Sequence, residues 1–299
     1  MIRHSPRRPA RSWSALVLAT AAALAFLAVP VRTATCDEAS ASRPALAPEI
    51  VESRSSYESQ GKTIVVERFE PKAAGKHPAV LVLHGSGGML VGGPAFRGFA
   101  RELARRGYVA HVVHYFDLSG TLLADRPMMT ARFPEWLLAV ADGLTDLAKR
   151  PDVDPARIGV AGFSLGGYLS VSLAMFDPRV TAVVDFFGGL PEPLRNDLRS
   201  LPPTLILHGD ADKIVPVAEA RTLETLCRAR NIPHEVRIYA GQGHFFTGDD
   251  SRDATRRALT FLDTHLKQTP TRHEVARPKF ELLPGGAPAA ASGPGGMGR

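Results

Sequence analysis

The sequence predicts an α/β fold: a three-layer α/β/α sandwich on a mostly parallel sheet of roughly eight strands. Three observations lead there. Short apolar runs alternate with longer amphipathic ones along most of the chain. The apolar runs are nearly continuous, as in VLVL (80–83) and TLIL (204–207), which is the pattern of strands covered on both faces. With 299 residues, 44% of them hydrophobic and 22% charged, the chain can bury the single large core that such a sandwich needs.

Taken in order, KTIVVERF (62–69) and PAVLVLHG (78–85) read as strands, and FRGFARELARRG (96–107) as a helix stopped by Gly107. YVAHVVHY (108–115) is a strand. FPEWLLAVADGLTDLAKR (133–150) is a helix, with Pro134 suited to its first turn. Strand RIGVAGF, helix LGGYLSVSLAM, strand RVTAVVDFF and strand PTLILHG follow, then helix PVAEARTLETLCRAR, strand HEVRIYA and a last helix from Ser251 to Lys267.

The two ends differ from this pattern. Residues 1–41 read as an export signal and leader: MIRHSPRRPAR is rich in arginine, and the apolar, alanine-rich segment after it ends at Pro30. Export to the periplasm or the extracellular space is expected, a retained membrane anchor being the alternative. Residues 42–60 read as a lead-in and 61–267 as the working domain. From Gln268 onward the chain fills with Pro, Gly and Ala, and reads as a flexible tail.

The net charge of +6 sits at these ends. Arg3, Arg7, Arg8, Arg11 and Arg32 outnumber Asp37 and Glu38, while Arg272, Arg277, Lys279 and Arg299 outnumber Glu274 and Glu281. Little excess is left for the middle, and no basic stripe interleaved with aromatics marks a nucleic-acid face. The two cysteines, Cys36 and Cys227, make no disulfide framework, and no His/Cys cluster has zinc-site spacing. No metal or cofactor is expected.

Chemistry concentrates in VAGFSLGGY (160–168). A strand passing straight into a helix forces the middle residue into a strained conformation and brings the positions two before and two after into close approach. Gly162 and Gly166 meet that demand, leaving Ser164 Oγ pointing out of the turn beside the positive end of a helix, the alternative being an ordinary glycine-rich turn in which the serine only caps. A serine hydroxyl needs a base, and the base an orienting carboxylate. Asp212 follows the strand PTLIL and His244 follows the strand HEVRIYA, in the order Ser, Asp, His.

Asp210 rivals Asp212, but its place after Gly209 suits a turn-stabilising role. His208 supports the acid loop. His111 and His114 read as satisfied core residues. Donors for a developing oxyanion are expected from the Leu165 amide and from the loop LHGSGGM, where Ser86 is preferred to Gly87 and His84 acts as a brace. The connection Asp117–Phe133 carries Leu122, Leu123, Met128 and Met129, which with Phe245 and Phe246 read equally as a pocket wall or as loop packing.

LHGSGG, DVDPARIGVAGFSLGGYLS, HGDADKIVP and GQGHFF, in this order, resemble the α/β-hydrolase superfamily and, more narrowly, the dienelactone hydrolase family. The resemblance runs from about Gly61 to Lys267. It implies an ester hydrolase with Ser164 as nucleophile, Asp212 as acid and His244 as base, acting on a small-molecule ester. The namesake enzymes carry cysteine at the nucleophile and hold an anionic lactone with basic residues. Here the nucleophile is Ser164 and HFFTGDD offers no such base, which points to a general carboxylesterase. Two other readings stay open: a serine peptidase of the prolyl-oligopeptidase type, although no propeller-sized segment precedes the domain, and a non-catalytic binding protein on the same fold.

Overall fold

The computed structural model describes residues 48–267. The expected export signal, the Cys36 position, most of the lead-in's first residues and the tail lie outside the described residues. Eight strands form one sheet in the order β1-β2-β4-β3-β5-β6-β7-β8. They are β1 (Ile50–Ser59), β2 (Lys62–Pro71), β3 (His77–Leu83), β4 (Val109–Val113), β5 (Val153–Phe163), β6 (Val180–Phe186), β7 (Thr204–Gly209) and β8 (His234–Tyr239). The first two strands run antiparallel to their neighbours, and every other pairing is parallel.

Among the described residues, five α-helices cover the sheet: α1 (Gly88–Arg105), α2 (Arg126–Ala148), α3 (Leu165–Phe176), α4 (Ala218–Ala229) and α5 (Gly248–Leu262). Alternation along the buried strands sends successive side chains to opposite faces, and the core divides accordingly. Leu81, Val160, Val183 and Ile206 pack with Trp136, Leu144, Leu169 and Leu223 of α2, α3 and α4. Val80, Val82, Val184 and Leu205 pack with Phe99, Leu103, Ala258 and Phe261 of α1 and α5. The three predicted layers are present.

Several boundaries differ from the sequence reading. The eighth strand is β1, within the residues taken as a lead-in. It pairs with β2 along its whole length, from Ile50 opposite Pro71 to Ser59 opposite Lys62. Helix α1 begins at Gly88 rather than Phe96, accepting Gly92, Gly93 and Pro94 in its first turns because burial of Phe96, Phe99 and Leu103 outweighs their poor propensity. Helix α2 begins at Arg126, not Phe133. Asp125 caps it by accepting the Met128 amide at 2.9 Å, Pro127 occupies the first turn, and Pro134 falls inside the helix. The long connection therefore shortens to the residues between Asp117 and Asp125. The last helix starts at Gly248 and ends in a π turn, Asp263–Lys267.

The parallel strands end in register. Leu83 lies opposite Gly162, Phe163 opposite Phe186, Phe186 opposite Leu207 and Gly209 opposite Tyr239. The loops after β3, β5, β7 and β8 consequently share one edge of the sheet, the edge where α/β folds collect their ligands.

Candidate active site

Ser164 occupies the turn between β5 and α3 with φ +56° and ψ −116°, the strained conformation expected of it. The flanking glycines are obligatory. A Cβ on Gly162 would stand 2.0 Å from Gly166 O, and one on Gly166 would stand 2.2 Å from Leu83 O. The Ser164 amide donates to Phe186 O, fixing the turn against β6.

The structure brings the three expected side chains together. Ser164 Oγ lies 2.9 Å from Nε2 of His244, and Nδ1 of His244 lies 2.7 Å from Oδ2 of Asp212. With Nδ1–H donating to the carboxylate, Nε2 is left to accept the serine proton. All three residues are nearly buried.

Asp212 is held by more than His244. Its Oδ1 accepts the amides of Ile214 and Val215 at 2.8 and 2.9 Å, and Nε2 of His208 lies 3.4 Å from its Oδ2. Burial pushes the Asp212 carboxyl up, but the hydrogen bonds from His208, His244 and Val215 overcome it and hold the group well below the ordinary aspartate value. It is a fixed anion.

Asp210 has the turn role expected of it: its Oδ1 accepts the Gly241 amide at 2.7 Å. That bond belongs to a clamp between the acid and base loops. Asp210 N donates to Tyr239 O and Ala211 N to Gln242 O, and Gly209 lies so close that a Cβ there would meet Gln242 O at 2.2 Å. Gln242 in turn donates to Asp250 and accepts from the Thr247 amide.

On the other side of Ser164, the loop after β3 approaches closely enough that a Cβ on Gly85 would sit 3.3 Å from Ser164 Cβ. Gly88 N closes the turn on Gly85 O at 2.9 Å. Leu165 opens α3, so its N–H has no acceptor within the helix. Among the described residues neither the Leu165 amide nor the Ser86 amide donates to a protein acceptor. His84 braces the loop as expected. It stacks on Tyr115 at 4.0 Å, its Nδ1 donates to Gly85 O, and burial drives its pKa down to about 3, leaving it neutral.

The stretch after β4 reaches this loop too, since Ala124 N donates to Ser86 O. Leu122 and Met128 are exposed there, whereas Met129 packs onto the core. Leu90, Val91, Ile214 and Phe245 are also exposed, each within a few residues of a site loop. Of these, Phe245 sets its ring 5.1 Å from that of His244.

Three features escaped the sequence reading. Phe187, at positive φ, follows β6 directly and sets its ring 4.8 Å from that of His244. Asp185 is a fully buried carboxyl. His111 is buried and neutral, as a core residue would be, but its Nε2 finds no partner, so it is not satisfied. No simple spacing marks any of them.

Such a sheet, with a serine elbow after β5, an acid after β7 and a histidine after β8, defines a hydrolase of the α/β-hydrolase fold. A family model described as "Dienelactone hydrolase family" matches residues 66–266, and the chain belongs to that family. It is 29% identical over 213 residues to a Salmonella typhimurium protein named "Putative carboxymethylenebutenolidase", covering 65% of this chain and 77% of the relative. Among solved structures, a "Putative Dienelactone Hydrolase" from Klebsiella pneumoniae superposes with a TM-score of 0.64 at 23% identity, over 73% of this chain and all of that one. An esterase from Pyrobaculum calidifontis gives 0.57 at 19% identity, over 72% and 85%. The last two likenesses show the fold.

Proposed function

We propose that this chain is a serine-dependent carboxylic ester hydrolase working through an acyl-enzyme. The observation that carries the reading is the unbroken hydrogen-bond line from Ser164 through His244 to Asp212, at 2.9 and 2.7 Å. His244 Nε2 takes the serine proton as Oγ attacks the ester carbonyl, and Asp212 stabilises the imidazolium that forms. The Leu165 and Ser86 amides receive the charge developing on the carbonyl oxygen. His244 then protonates the departing alcohol and deprotonates the water that releases the acid.

The exposed apolar side chains on and beside the site loops, Phe245 next to His244 among them, favour uncharged acyl or alcohol groups. A small-molecule ester is the substrate class, and no cofactor takes part. We also retain export as the proposed location.

Hydrolysis of p-nitrophenyl esters of rising acyl length tests the proposal. Turnover is expected, and Ser164→Ala is expected to lower it by about 10⁴-fold or more with the fold intact by circular dichroism. Turnover that survives in Ser164→Ala removes the assignment; cleavage of peptide amides in preference to esters replaces it with a peptidase.

A further inference from the structure

The two edges of the sheet differ in how their charges are held. On one side, β1 has them committed within the chain: Glu52 pairs with Arg101 at 2.7 Å and Arg54 with Glu67 at 3.3 Å. On the other side lies β8, with β7 as its one strand partner among the described residues. The free side of such a strand is a row of unpaired amides and carbonyls, a template for another strand.

The ladder shows which groups of β8 are free. Pro233 O accepts the Thr204 amide and Tyr239 O accepts the Asp210 amide, so both carbonyls point toward β7. Main-chain groups alternate in direction along a strand, so Glu235 and Arg237 also turn their N–H and C=O toward β7. His234, Val236 and Ile238 turn theirs outward, and among the described residues no main-chain hydrogen bond engages them. The side chains alternate too. Val236 and Ile238 pack onto the core layer that includes α4. Glu235 and Arg237 stand exposed on the opposite face, the Arg237 guanidinium 5.2 Å from the centre of the Tyr239 ring.

We propose that β8 is the docking surface for a second copy of this chain, the two β8 strands pairing antiparallel about a two-fold axis at Val236. Outward groups must meet outward groups, so His234, Val236 and Ile238 can pair only among themselves. With Val236 opposite Val236 of the copy, His234 falls opposite Ile238, and all three residues exchange main-chain hydrogen bonds. Glu235 then falls opposite Arg237 of the copy, and by symmetry Arg237 opposite Glu235. These are non-hydrogen-bonded positions, where facing side chains come closest. Sliding to the next allowed register in either direction sets Glu235 against Glu235 or Arg237 against Arg237, which is repulsive. The charges therefore select the register that also makes the most hydrogen bonds. Self-complementarity of this kind is what a two-fold interface requires. Because the strands run antiparallel, the active-site edges of the two copies face opposite directions.

The test is the mass of the full chain in solution at micromolar concentration, by light scattering or sedimentation, for wild type, Glu235→Arg, Arg237→Glu, the double variant and Val236→Pro. Wild type is expected at twice the mass of one chain. Each single charge variant sets like charges against each other in both pairs and is expected to weaken the dimer by about 10-fold or more. The double variant, and an equimolar mixture of the two single variants, restore opposite charges in both pairs and are expected to recover it. Val236→Pro removes an outward N–H that β7 does not use and is expected to give a folded monomer. Should that variant not fold by circular dichroism, the charge exchange decides, since Glu235 and Arg237 are exposed. A monomeric wild type overturns the proposal. So does a dimer that the single variants leave intact, or one that the double variant and the mixture fail to recover. A monomer in which the amides of His234, Val236 and Ile238 resist hydrogen exchange would show that a segment of the same chain covers the edge, and overturns it as well.

Discussion

Asp212 and Asp185 are both buried carboxyls beside His208, at the ends of adjacent strands, and they stand in opposite electrostatic states. Asp212 accepts two backbone amides and His244, with His208 close by, and its pKa falls. Asp185 has far less to hold its charge, the Gly188 amide and the nearby His208 only partly offsetting burial, and its pKa climbs to about 7. Burial pushes both upward. The number of donors decides between a permanent anion and a group that exchanges a proton.

The largest expected effect that tests this contrast comes from Asp212→Asn. It should lower kcat on an aryl ester by about 10³- to 10⁴-fold, because the amide no longer holds His244 in the tautomer that accepts from Ser164. The same variant tests the anion's stability role. A depressed carboxyl contributes stability that is present above the ordinary value of 3.8 and is lost as pH falls through the lower folded value. Urea melts should therefore show wild type losing stability below about pH 4 more steeply than Asp212→Asn.

Next in size is Gly167→Ala, which drives a methyl to 2.2 Å from Oδ1 of Asp185. A loss of about 2–3 kcal/mol in denaturant unfolding is expected, partly restored in the double variant Gly167→Ala/Asp185→Ala, which removes the carboxyl. An unchanged midpoint in the single variant would show that the carboxyl yields.

Smallest is Asp210→Asn. The amide oxygen still accepts from Gly241 N–H, so kcat should stay within a few-fold of wild type and stability within about 1 kcal/mol. A loss as large as that of Asp212→Asn would reverse the assignment of the acid.

How legible each part was in the sequence follows from how local its cause is. The Ser164 turn could be read because its glycines answer a steric demand within five residues. The acid and base could be read because parallel strands bring their carboxyl ends to one edge. Strand β1 could not, since most of IVESRSSYES faces solvent and only Tyr57 and Ser59 are buried, leaving no apolar alternation to detect. The start of α2 was legible in Asp125 and Pro127, but Pro134 imitated the same signal seven residues later. Asp185 and His208 come to share a face only through the β6/β7 register, where sequence spacing carries no information.

The clamp between the loops after β7 and β8 bears on how the molecule ages and fails. Because Gly209, Asp210 and Ala211 are locked to the segment 239–242 by main-chain contacts, the acid and base loops have no independent way to loosen. If the clamp holds as the contacts suggest, loss of ester turnover on heating and melting of the sheet are expected to coincide, a comparison that activity and circular dichroism measured over the same temperature range would make.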